Sequence, residues 1–133
     1  MKIFLPIGLL SVLMILCITA SGCASDIQRV ASGFTPAAGG TGRAIVITMN
    51  TEVQPSNSYK RLLMNGSKWK LIGHVAQGNV YEIQNDVFML EAKHMHQAHL
   101  VLSSGNRLVG FFLPVEEAFV PLSPAIPLSV KNQ

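Results

Sequence analysis

The sequence predicts a mainly β domain, a small antiparallel meander or a barrel- or sandwich-like fold, placed after a signal segment and a flexible tether. Three observations carry this. Short runs rich in β-branched and aromatic residues recur between positions 44 and 122. Turn-forming pairs such as Asn65-Gly66, Gly78-Asn79 and Gly105-Asn106 punctuate them. No long stretch of the mature chain repeats its apolar residues with the period of a helix.

Taken in order, Ala44 to Met49 is apolar and β-branched and reads as a strand. Residues 50–58 are polar, contain Pro55 and read as a loop, and residues 59–64 fit either a strand or one helical turn. Asn65-Gly66 tolerates positive φ and predicts a hairpin whose second arm is residues 69–75. Further strands are expected at 80–83, 87–93, 98–102 and 107–113, with a turn near His96 and Gln97. Pro114 ends the last of these, because proline cannot donate to a ladder. Val115 to Phe119 suits a single helical turn. The tail from residue 123, with Pro124 and Pro127 among apolar residues, is expected to be extended, either covering the domain or docking onto another protein.

The amino end has a different character. Lys2 gives a positive charge, residues 3–18 form an apolar run, and Ala20-Ser21-Gly22-Cys23 are small. A charged start, an apolar middle and a small-residue cleavage site make a secretory signal. Ala20-Ser21-Gly22-Cys23 resembles the lipobox of bacterial lipoprotein precursors, with Ala20 where that family usually has Leu. The resemblance covers the signal alone. It implies that a diacylglycerol is attached to the Cys23 thiol and that the chain is cut after Gly22. It implies a membrane partner through several acyl chains, which together anchor stably where one does not. Ala24, rather than the Asp that retains enteric-type lipoproteins at the inner membrane, follows the cysteine. The resemblance therefore points to the periplasmic face of the outer membrane, with the inner membrane as the alternative address. An ordinary signal cut near Ala24 and an uncleaved membrane helix are the competing readings of the same run.

These segments define the expected organisation: a signal at 1–22, a lipidated flexible tether at 23–43, a β-rich domain at 44–122 and a proline-rich extended tail at 123–133. The tether assignment rests on small residues such as Ala37-Ala38-Gly39-Gly40-Thr41-Gly42. Removing the signal leaves 111 of the 133 residues, enough for one domain with a moderate core. Nine Lys and Arg then face seven Asp and Glu, a balance too mild for a nucleic-acid partner. Of the two cysteines, Cys17 leaves with the signal and Cys23 takes the lipid. The domain must hold without a disulfide or a thiolate-bound metal.

Two groups of residues are candidates for function. His94 and His96 are two apart, so on a strand they share a face, and His99 follows after a short turn. Imidazoles so placed suit zinc or copper. Half-exposed histidines at a hairpin end need no ligand, and the spacing matches no specific metal motif. The second group is Phe111, Phe112, Leu122 and Ile126. Consecutive phenylalanines face opposite sides of a strand, so one is core and the other needs cover from the tail or a partner. No nucleophile elbow, thiol nucleophile or convergent acid pair is visible, and Glu116 and Glu117, being adjacent, diverge. The expectation is therefore no enzyme and no cofactor beyond the covalent lipid. It is a lipid-anchored structural or interaction module serving other envelope proteins, with a zinc- or copper-binding lipoprotein as the alternative.

Overall fold

The computed structural model describes residues 25–39 and 42–133; the signal residues, including Gly22 and Cys23, lie outside them. The chain is mainly β, with thirteen strands and no helix among the described residues. They are β1 (Val30–Ala31), β2 (Thr35–Pro36), β3 (Ala44–Ile47), β4 (Thr51–Val53), β5 (Arg61–Leu63), β6 (Lys68–Val75) and β7 (Gly78–Ile83). Then come β8 (Met89–Glu91), β9 (Met95–Gln97), β10 (His99–Ser103), β11 (Arg107–Leu113), β12 (Ala118–Pro127) and β13 (Val130–Asn132). Nine form one antiparallel sheet in the order β1-β12-β11-β10-β7-β6-β3-β13, with β2 added to β6. Two hairpins, β4–β5 and β8–β9, stand apart from it. Only Leu128 and Ser129 separate β12 from β13, which lies at the far end of that order. Three residues of extended chain span about 10 Å. The sheet must therefore curl until its two sides approach, as in a barrel.

Register explains the two faces. Leu71, Tyr81, Leu100, Phe111 and Val120 are successive partners across five strands. They belong to one core with Trp69, Phe88, Leu90 and Leu108. Phe88 lies edge-on to Trp69 and stacked on Phe111, at ring separations of 5.6 and 5.9 Å. The two hairpins seal this face through Val53, Leu63, Phe88 and Leu90. The opposite face carries Val75, Val80, Val101, Phe112 and Phe119, covered by Phe34 and Ile72.

Several expectations are corrected. The Asn65-Gly66 turn leads into β6, but β5 pairs with β4 rather than with β6. The turn is captured instead by β3: Gly66 N donates to Ile47 O at 2.7 Å, and Ile47 N to Ser67 O at 3.0 Å. The expected loop at 50–58 contains β4, and the expected turn at His96 and Gln97 is β9. The expected helical turn at 115–119 is an irregular turn with Glu117 at φ 52°, and β12 starts at Ala118.

The segment read as a tether is largely part of the domain. Ile27 is 3% exposed in the main core. β1 pairs with β12 and β2 with β6, so residues 30–36 strap the second face. Ser32 N donates to Glu117 O at 3.0 Å and Ala37 N to Ile72 O at 2.9 Å. At its centre Phe34 stacks on Phe112 at 5.2 Å. Phe34→Ala is expected to cost about 2 kcal/mol, below the fully buried Phe→Ala range because Phe34 is only half-buried. Urea unfolding of the purified protein reads this directly.

The tail is extended but is not a cover. Residues 123–127 continue β12, and β13 pairs with β3. Pro124 is accommodated where the register between β11 and β12 shifts, between the pairs Gly110–Pro121 and Leu108–Ile126, while Pro127 stays in register opposite Arg107. A bulge is where a residue lacking an N–H does least harm.

Candidate functional site

Three chain segments meet at the corner where the described chain begins. Asp26 comes from the N-terminal arm, His96 from β9 and Glu116 from the β11–β12 turn. His96 Nε2 lies 2.7 Å from Asp26 Oδ2, and Nδ1 lies 2.5 Å from Glu116 Oε2. The His96 side chain is 5% exposed, against 18% and 25% for the two acids. Ionised carboxylates only accept, so both bonds form when both ring nitrogens carry a proton. Asp26 also accepts from His94 N at 3.1 Å and lies 3.3 Å from Arg29 Nη1. Burial works against the Asp26 charge, but hydrogen bonds from the Ile27 and His94 amides and from His96 outweigh it. The carboxyl is held well below its usual range. Chemically this is a clamp: a ring with both nitrogens engaged by carboxylates ties three segments together.

The three histidines are not brought to one point. The His94 and His96 rings lie edge to face at 6.5 Å, with His94 exposed. His99 looks to the second face, lining a hollow of about 220 Å³ with Phe34, Ile72, Phe112, Pro114 and Glu117. His74 lines a different hollow, beside Arg43 and the Ser103–Asn106 turn. Among the described residues no group of three or more His, Cys, Asp or Glu side chains is placed to hold a metal ion. Glu116 and Glu117 diverge, one to His96 and the other to the His99 hollow.

Burial pushes His99 below its usual value, against the pull of the Glu82 carboxylate 4.0 Å away and of the Ala98 backbone. A depressed folded value means that the unfolded chain takes up the proton first. The His99 contribution is then complete above about pH 6.5 and is lost as pH falls. His99→Gln is expected to flatten the loss of stability between pH 7.5 and 5.5 relative to the parent protein. Urea midpoints at the two pH values check it, and equal slopes would refute it.

The four residues expected to form an interaction surface do not form one. Phe111 is fully buried in the main core and Phe112 is 3% exposed beneath Phe34. Leu122 is buried and Ile126 half-buried in the same main core, because the tail is a strand of the sheet. Exposed apolar side chains lie elsewhere. Leu62, Met64 and Val87, at 45%, 53% and 59% exposure, line one hollow of about 120 Å³ that also touches Trp69 and Phe88. The Arg61 guanidinium sits over Phe88, 4.9 Å from the ring centroid, and Arg61 Nε has no hydrogen-bond partner among the described residues. Leu62 on β5 and Met64 just after it flank the inward Leu63, so strand alternation turns Leu62 outward and Met64 continues on the same side. That alternation is the signal in the sequence that marks this surface.

Comparison with protein-family models, curated proteins and solved structures found no match to this chain. No helix among the described residues is long and apolar enough to cross a membrane.

Proposed function

We propose that this chain is a lipid-anchored module of the bacterial cell envelope, held through Cys23 at the periplasmic face of the outer membrane, whose β domain binds a partner envelope protein. The address rests on Lys2, the apolar run and Ala20-Ser21-Gly22-Cys23. The observation that carries the binding role is the hollow framed by Leu62, Met64 and Val87. Three large apolar side chains exposed around one concavity form a seat for an apolar side chain of another protein.

The test uses the acylated protein captured from gently solubilised envelopes. Companions present in stoichiometric amount with the parent protein are expected to fall at least tenfold with the Leu62→Asp, Met64→Asp double variant. Both positions are exposed, so unfolding midpoints should move little. Companions that survive the substitutions rule out this surface. A protein that is not acylated at Cys23 rules out the anchor. Deleting the tail is not a clean test, because residues 118–132 belong to the sheet.

A further inference from the structure

We infer that the corner around Ser25 is a membrane-seating face, so that the domain rests directly on the headgroups of the bilayer that holds its acyl chains. This rests on the proposed acylation of Cys23. Cys23 and Ser25 are separated by two peptide units, so their Cα atoms lie at most about 7.6 Å apart whatever Ala24 does. Beyond Ser25 there is no slack. Asp26 is gripped by His96, His94 N and Arg29, and Ile27 is in the core. The headgroup layer of a bilayer is about 6 Å deep on each side. A lipidated Cys23 therefore brings whatever surrounds Ser25 into that layer.

What surrounds it suits an interface. Ser25 lines one hollow with Asn57, Tyr59 and Lys93. Tyr59 is 64% exposed, though its backbone N is fixed to Glu91 O at 2.7 Å. Met95, 55% exposed, follows Lys93 and the exposed His94 in the β8–β9 hairpin. Tyrosine and lysine each place an apolar body and a polar tip across a headgroup layer. The charges nearly balance. Lys93 and Arg29 are offset by Glu91, which pairs with Met95, and by Asp26, while Lys60 lies 3.7 Å from Glu52. The face therefore needs no anionic lipid. The acyl chains bring it down, and the tyrosine and methionine settle among phosphatidylethanolamine and phosphatidylcholine headgroups.

Lysine acetylation of the full acylated protein in vesicles of those two lipids, followed by mass spectrometry, tests this. Lys93 is expected to react at least fivefold more slowly in vesicles than in detergent. Lys68 and Lys131, which flank Val46 from the two adjacent strands and line no part of the Ser25 hollow, should keep their rates. Ten Gly and Ser residues inserted between Ala24 and Ser25 add a flexible reach of about 17 Å and should abolish the protection. Lys93 reacting as fast as Lys131 in vesicles, in a protein shown by the same spectra to be acylated at Cys23, overturns the seating and leaves the anchor standing. An unacylated amino-terminal peptide overturns both.

Discussion

Replacing His96 by alanine is expected to destabilise the protein by about 3 kcal/mol. Among the described residues the ring is the only bridge between the carboxylates of Asp26 and Glu116. Removing one member of a buried ion pair costs about 3–5 kcal/mol, mainly because the other is left charged and unpaired. Here two carboxylates are left facing one gap. Both retain some contact with water, at 18% and 25% exposure, which sets the lower end of that range. The sign of the pH response follows from Asp26. Its folded value lies below the ordinary one of about 3.9, so its contribution is present above that pH and is lost as pH falls through the folded value. Asp26→Asn should therefore lose stability at pH 7 while losing less than the parent protein on acidification to pH 3. Urea midpoints at the two pH values decide it. An H96A protein that unfolds with the parent at pH 7 would show that the clamp does not hold the corner.

The clamp also shows why the site was hard to read from sequence. Asp26 and Glu116 stand 70 and 20 positions from His96, so no local spacing announces them. The sequence presents His96 as a half-exposed hairpin-end histidine or a metal ligand, because a polar residue inside a three-residue strand carries no hydrophobic alternation. Of the legible strands, β3, β6, β7, β10 and β11 bury a full face of β-branched and aromatic residues, while β8, the short middle of the strand expected at 87–93, buries Leu90. β4 buries only Val53 and was lost in a polar loop. The N-terminal strap escapes a reading of the sequence because its small residues have the composition of a linker. Its only large inward anchors are Ile27 and Phe34, too few for a period. The opposed faces of Phe111 and Phe112 were legible, since alternation needs no neighbours. What covers Phe112 was not, because Phe34 lies 78 residues earlier.

Two glycines on the strap side of the sheet separate what builds the sheet from what ties the strap to it. A methyl at Gly110 would overlap the Val120 carbonyl oxygen and lie 2.6 Å from the Phe119 ring. That oxygen belongs to the ladder between β11 and β12 and cannot move without unpairing it, so Gly110→Ala is expected to cost at least about 3 kcal/mol. A methyl at Gly73 would overlap the Thr35 carbonyl oxygen and lie 2.5 Å from the Phe34 ring. Those atoms belong to the strap, which can lift. Gly73→Ala should therefore release residues 34–37 and speed amide exchange at Ala37 and around Phe112, while leaving β6, β7 and β10 protected. Uniform loss of protection in G73A would show that the strap and the sheet unfold as one unit. If instead the strap alone opens, the arm still stays down, because Asp26 and Ile27 are held by contacts that do not involve it. Joining Gly73→Ala to His96→Ala weakens two separate holds, and their costs should add so long as the strap and the clamp share no contacts. Ile27 in the core and the pairing of β1 with β12 remain in the double variant, so residues 34–37 and the Asp26 corner are expected to exchange faster while Val30 and Ala31 stay protected.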